Sequence, residues 1–370
     1  MGDKSAFVGG MKLKISELGK VITGNTPSKK IKEFWDKDDV GFVKPDIISD
    51  EHIVKIKSEN CNEFISNAAI SKARIVPKNS IFVTCIGNIG KIGVATENLA
   101  FNQQINAIIP NENVNLDYLC YAIFANKTRL QDIANAPIVP LLNKSQFSEF
   151  ELEFDMDINT QTRIVHELNT VSNIILKYKQ ELLLLDELVR ARFVEMFGEI
   201  EDYDKWESKI WNEVVTIKNG RDYKKVLVSD GGYPVVGTGG EIARASKYLC
   251  PENTIVVGRK GSINNPMLMK EKFWNVDTAF GVIPNSDYLH YQYFYCFCKF
   301  YNFMKLNKAT TLPSTTKADL LKIRINIPPL ELQNQFASFV EEIDKSRSRI
   351  QKSLEASQEL FDSLMQEYFG

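Results

Sequence analysis

Two stretches of the chain carry the same hydrophobic spacing. In Gln161–Gly198, "QTRIVHELNTVSNIILKYKQELLLLDELVRARFVEMFG", apolar side chains fall at Ile164, Leu168, Val171, Ile175, Tyr178, Leu182, Leu185, Val189 and Met196, mostly in steps of four and three. Arg192 is the polar interruption. In Gln333–Gly370, "QNQFASFVEEIDKSRSRIQKSLEASQELFDSLMQEYFG", the matching positions are Phe336, Val340, Ile343, Ile350, Leu354, Phe361, Leu364 and Tyr368, interrupted by Arg347 and Ser357. A heptad seam without internal proline or glycine predicts a long amphipathic helix in each stretch, on the order of 50 Å long at 1.5 Å per residue. Both stretches open on Gln and close on Phe-Gly, 172 positions apart. The common frame predicts that the two helices pair with each other.

The segments before each helix also repeat. "VPKNSIFV" (Val76–Val83) echoes "CPENTIVV" (Cys250–Val257). "IPN" recurs at Ile109–Asn111 and Ile283–Asn285, and "DYL" at Asp117–Leu119 and Asp287–Leu289. "PLLNKSQFSEFELEF" (Pro140–Phe154) parallels "TTLPSTTKADLLKIRINIP" (Thr310–Pro328). Alternating runs such as "NSIFVTC" and "NTIVVGR" read as strands, and "DYLCYAIF" and "YLHYQYFYCF" as helices. The expected fold class is α+β: two mixed α/β domains in tandem, at 11–158 and 206–327, with long helices at 159–198 and 328–370.

With 370 residues, 44% hydrophobic and 25% charged, the chain has an ordinary globular composition. No apolar run reaches the roughly 18 residues that a bilayer span needs, and the N-terminus does not read as a signal peptide. "MGDKSAFVGG", ahead of Met11, is given no role. The six cysteines show no CxxC spacing, Cys296 and Cys298 form only a CxC, and His52, His166 and His290 stand far apart. A structural zinc site is not expected, and scattered thiols fit a reduced, cytoplasmic protein. The overall charge of −2 conceals an asymmetry. Residues 206–327 carry 17 Lys/Arg against 10 Asp/Glu, whereas 12–158 carry 17 against 19 and the two helical stretches are acidic. A basic globule in a near-neutral chain is a footprint of polyanion binding, although a solvated face gives the same count.

"CIGNIGKIG" (Cys85–Gly93) reads at first like a phosphate loop. It fails the Walker pattern, because Cys85 stands at the first glycine and Ile92 follows Lys91, and it fails GxGxxG. Its counterpart in the second half is "VGRKGSINN" (Val257–Asn265). Each copy places Gly, Lys and Asn directly after a strand, where exposed amides and a cation favour an anion. Two copies suit a repeating polyanion better than one nucleotide; a tight turn with solvated lysines is the alternative. No metal-nuclease cluster is evident. "INNP" (Ile263–Pro266) and "NIPP" (Asn326–Pro329) lack the aromatic of an amino-methyltransferase motif, "GTGG" (Gly237–Gly240) lacks the context of an S-adenosylmethionine loop, and no catalytic triad can be assembled from three isolated histidines. No catalytic or metal residue is assigned.

"TGNTPSKKIKEFWDKDDVGFVKPDI" (Thr23–Ile47) resembles the opening of a target recognition domain in the specificity subunits of type I restriction-modification systems. "FNQQINAIIP" (Phe101–Pro110) is similar to that family's Asn-Gln segment. "PVVGTGG", "VGRKGS" and "FWNVDTAF" (Pro234–Gly240, Val257–Ser262, Phe273–Phe280) resemble another variant of the domain, and "IPPLELQNQF" (Ile327–Phe336) its entry into the conserved helix. The second half has Asp277-Thr278 where Asn102-Gln103 stand in the first, and lacks the segment around Trp35. The resemblance implies two target recognition domains held apart by an antiparallel helix pair, reading a bipartite, non-palindromic DNA target with a fixed spacer. It further implies no bound cofactor on this chain, two methyltransferase (modification) subunits bringing S-adenosylmethionine, and restriction/translocase subunits bringing ATP and Mg. The helices would form much of the docking surface, with Glu181, Glu187 and Glu341 at its rim.

Candidate DNA contacts follow from residue chemistry. Lys29, Lys30, Lys44 and Lys91 in the first half, and Arg221, Lys224, Lys225, Arg259, Lys260 and Lys317 in the second, are suited to phosphates. Asn88, Gln103, Gln104, Asn264 and Arg259 are suited to bidentate pairing with base edges. Thr26, Ser28, Tyr223, Thr238, Ser262 and Thr310 are secondary candidates, and Trp35 and Trp274 are read as core. Other readings stay open: a coiled-coil scaffold that joins two protein-binding domains without touching DNA, a methyltransferase or nuclease fused to a recognition domain, or the specificity subunit of a related multisubunit type II system.

Overall fold

The computed structural model describes residues 10–134, 140–308 and 312–370. The chain forms two compact units. One comprises the residues up to Leu176 together with Leu354–Gly370, and the other Lys177–Ser353. Each unit takes in a stretch of both long helices.

In the first unit a five-stranded sheet contains Gly19–Thr23, Ile105–Pro110, Ile81–Thr84, Ile92–Ala95 and Val54–Ile56, in that spatial order. A four-stranded sheet is built around Val40–Val43 and Leu99–Phe101, which run parallel with Phe42 opposite Ala100. The strands Ile81–Thr84, Ile92–Ala95 and Leu99–Phe101 are buried along their whole length, so they read as continuous apolar runs rather than alternations. A two-stranded ribbon, Met11–Lys14 with Glu151–Phe154, ties the start of the globule to its end.

The second unit repeats the plan. Its first sheet orders Val215–Asn219, Ala279–Pro284, Thr254–Gly258 and Met267–Met269; its second holds Tyr233–Gly237 parallel to Trp274–Asn275. Its closing ribbon pairs Ser208–Ile210 with Arg324–Asn326. The equivalence reaches single backbone conformations. Asn79 and Asn253, 174 positions apart, are the two non-glycine residues with positive φ (68° and 58°) among the described residues.

The long helices run Ile158–Phe197 and Leu330–Phe369, each starting three residues before the glutamine that opens the heptad pattern. Ile164, Leu168, Val171 and Ile175 are buried in the core of the first unit, with Phe361, Met365 and Tyr368 of the last helix and with Leu354 and Leu364 against it. The Tyr368 hydroxyl donates to Glu167 at 2.5 Å. In the second unit Val189, Phe193 and Phe197 share a core with Phe336 and Val340, with Ile343 packed against it. There Phe193 lies 5.6 Å from Phe336 and Arg347 donates to Asp186 at 3.0 Å, so the helices run antiparallel. Tyr178, Leu182, Leu185 and Ile350 are half-buried along the seam.

The two glutamines have a packing reason. Gln161 accepts from the Asn115 amide (2.8 Å) and donates to the Asp155 carbonyl (2.7 Å). Gln333 accepts from the His290 amide (2.8 Å) and donates to Tyr288 and Pro328 carbonyls. Asn115 and His290 are the N-caps of the short helices Leu116–Ala125 and Tyr291–Phe300. Each fully buried glutamine therefore fastens a globule's helix start to its long helix.

Candidate nucleic-acid interface

In each unit one set of loops follows the strand ends. The bonds that hold them are the same bonds twice. The Gly24 amide donates to Ile105 and the Asn25 amide to Phe101; the Gly220 amide donates to Ala279 and the Arg221 amide to Asn275. Cys85 donates to the Gln104 carbonyl, and Arg259 to the Thr278 carbonyl. Gly87 donates to Pro140, and Gly261 to Pro313, both glycines having positive φ (75° and 82°), where an L side chain is strained. These bonds set the register: Gln103 and Gln104 correspond to Asp277 and Thr278, while Asn102 corresponds to Val276. The alignment by sequence, which placed Asp277-Thr278 on Asn102-Gln103, is therefore one residue off.

In the first unit the structure brings several candidates together. The Thr26 hydroxyl donates to Gln103 Oε1 at 2.6 Å, tying the Thr-Pro loop to the Asn-Gln turn. Gln104 is half-buried and accepts from Asn102 Nδ2 at 2.9 Å. Lys29 and Lys44 converge on Glu63. Burial alone would push the Glu63 carboxyl up, but the two lysines outweigh it and hold it below the usual carboxylate range. Lys91 Nζ sits 3.4 Å from the Pro45 carbonyl. The Asp50 carboxyl is likewise held low, first by its bond from Lys127 and then by the Asn88 side chain. Ser28 and Lys30 are exposed. Trp35 packs edge-on against Phe42 at 5.2 Å, and Lys29 lies over its ring.

In the second unit Arg221, Lys224, Lys225, Arg259, Lys260, Ser262, Asn264 and Lys317 are exposed, and Tyr223 and Thr238 half-buried. Arg259, Lys260 and Lys317 line a concavity of about 360 Å³ with Asn219, Phe280 and Ser314 to Thr316. The strand registers map its floor onto the first unit: Asn219 pairs with Phe280 as Thr23 pairs with Asn106, and Lys260 bridges Ser314 as Ile86 bridges Leu141. There the same place is filled differently: Thr23 donates to the buried Asn106 at 2.6 Å, and the buried Cys85 stands where Arg259 does. Asn264 is partly committed: its Oδ1 accepts from the Phe303 amide at 2.7 Å. Lys317 Nζ donates to the Ile217 carbonyl at 2.8 Å, leaving its other protons free for an anion. Trp274 is 8% exposed and donates to the Arg221 carbonyl. Thr310 lies outside the described residues.

Sequence reasoning passed over Glu63, Asp50, Lys127, Asn219 and Ser314 to Thr316. Their roles arise from long-range contacts that no local motif marks. Among the described residues no three His, Cys, Asp or Glu side chains group as a metal set, and no helix is long and apolar enough to cross a membrane. The described cysteines are all buried thiols.

Both loop sets fall inside matches to one family model, described as "Type I restriction modification DNA specificity domain", at residues 9–184 and again at 203–358. The chain belongs to this family. Among similar proteins is the type I restriction enzyme MjaIX specificity subunit of Methanocaldococcus jannaschii, 24% identical over 95% of this chain and 90% of that one. The HindI specificity subunit of Haemophilus influenzae is 36% identical over a shorter stretch, 37% of this chain and 30% of the relative. The fold is that of the type I restriction-modification S subunit from M. genitalium, with a TM-score of 0.64 at 16% identity, covering 100% of this chain and 99% of that one. Membership fixes the architecture as two specificity domains in one chain with long helices between and after them.

Proposed function

We propose that each unit reads its own short DNA sequence through its loop set, so that the chain specifies a bipartite, asymmetric target for a type I restriction-modification complex. The observation that carries this is the duplicated frame with unlike tips. Identical backbone bonds hold Gln103-Gln104 in one unit and Asp277-Thr278 in the other, and the place filled by the Thr23–Asn106 pair and Cys85 in the first is a basic concavity in the second. One scaffold with two sets of side chains is the arrangement for reading two different sequences by direct contact.

In this reading the chain supplies readout and no bond-making chemistry. Two methyltransferase subunits supply S-adenosylmethionine and the reacting site, and translocase subunits using ATP and Mg complete the restricting form. The test is selection from a pool of randomised duplexes by the chain assembled with its methyltransferase subunit. Enrichment of two specified blocks separated by unspecified bases of constant number supports the reading. A stable complex that enriches no sequence refutes it and favours a scaffold.

A further inference from the structure

We propose that Asp277 reads a cytosine in the half-site contacted by the second unit. The proposal rests on the DNA-reading assignment above and names the base chemistry of one position.

Asp277 occupies the turn between Trp274–Asn275 and Ala279–Pro284, where the backbone bonds make it the counterpart of Gln103. It is exposed. The turn is framed by cations. Arg259 Nη1 donates to the Asp277 main-chain oxygen at 3.3 Å, and the amides of Arg259 and Lys260 both reach the Thr278 carbonyl, at 2.8 and 3.3 Å. Yet among the described residues no lysine or arginine closes an ion pair on the Asp277 carboxylate, although the segment 206–327 has seven more basic than acidic residues. The Arg259 guanidinium bonds the Asp277 backbone and lies 6.0 Å over the Phe280 ring instead.

An unpaired carboxylate is ordinary on a solvated surface. On a face that meets a polyanion it is repelled unless a donor on the nucleic acid meets it. The major groove offers two amino donors, cytosine N4 and adenine N6. Beside adenine N6 lies the N7 acceptor, which faces the second carboxylate oxygen lone pair to lone pair. Beside cytosine N4, on the same base, lies C5–H in place of an acceptor. The carboxylate, an acceptor on both oxygens, therefore selects cytosine. Gln103, the same position in the first unit, offers one donor and one acceptor, the pattern of adenine. The framing cations let the acidic tip approach by neutralising the flanking phosphates.

The test uses the full chain assembled with its cognate methyltransferase subunit. The methylated motif is mapped by sequencing for the unaltered chain, Asp277→Asn and Asp277→Ser; the second variant stands in should the first not fold. The expected result is one specified G·C pair, in one half only, that becomes A·T-tolerant or degenerate in the variants while every other position stays. In competition binding, discrimination at that pair falls about 5- to 150-fold, the loss of one good base contact. An unchanged motif, a change spread over both halves, or an assembled variant that methylates nothing overturns the proposal. If the unaltered chain itself yields a motif but the variants match it, only the role of Asp277 falls. If it yields none, the DNA-reading assignment falls and takes this proposal with it.

Discussion

Gly24 and Gly220 should each control one half of the target. Neither needs an unusual backbone; what matters is room. A Cβ built on Gly24 would stand 2.0 Å from the Asn102 carbonyl oxygen, and one on Gly220 would stand 1.8 Å from that of Val276. Cβ atoms essentially never approach such an atom within 3.0 Å, so the turn must retreat by about 1 Å in either alanine variant. The obstructing atoms are backbone, with no side chain to swing away, and overpacking of this kind costs about 1–3 kcal/mol of stability. The residues that follow the displaced carbonyls are Gln103-Gln104 and Asp277-Thr278. Loss of one good base contact costs about 1–3 kcal/mol, or roughly 5- to 150-fold in discrimination. The assay is affinity of the assembled complex for duplexes altered in one half-site at a time. Gly24→Ala should relax one half and Gly220→Ala the other. Variants that assemble and keep full discrimination in both halves would refute the reasoning that these turns carry the readers.

Three further outcomes are expected. Phe193 is 2% exposed and meets Tyr293, Phe197, Phe300 and Phe336, so Phe193→Ala should destabilise the second unit by about 3–5 kcal/mol; denaturant unfolding followed by tryptophan fluorescence reads this unit, which holds Trp206, Trp211 and Trp274. Lys260→Ala and Lys317→Ala should each flatten the slope of log affinity against log salt by about one, without changing the preferred sequence. His290 caps its helix by accepting from the Gln292 amide, and burial, opposed by Glu341, holds its imidazole below the ordinary 6.5. With the folded value depressed, the unfolded chain takes the proton first. The contribution is therefore present above about 6.5 and lost as pH falls through the folded value. The second unit's unfolding midpoint should drop on this account between neutral and mildly acid pH, and His290→Asn, which caps without titrating, should remove that component.

The long helices were legible because a seam such as Ile164, Leu168, Val171, Ile175 is a periodic signal read locally. The repeat was legible because positions such as Asn79 and Asn253 impose the same turn on similar strings. The loop register was not, since it is decided by bonds like Arg259 to Thr278 that join residues 19 apart. The two versions of one place were equally hidden. They depend on whether Thr23 and Asn106, or Asn219 and Phe280, meet across strands that are 61 or more residues apart in the chain. Single lysines such as Lys44 could be named as cations from sequence, but their partner Glu63 could not.

The most direct test of the central claim is sequencing of methylated adenines in a host expressing this chain with its cognate methyltransferase subunit, against that subunit alone. The account predicts a new motif of two unlike specified blocks at a constant separation, present only with this chain. Methylation that is unchanged by the chain, or a motif with a single block, would contradict it.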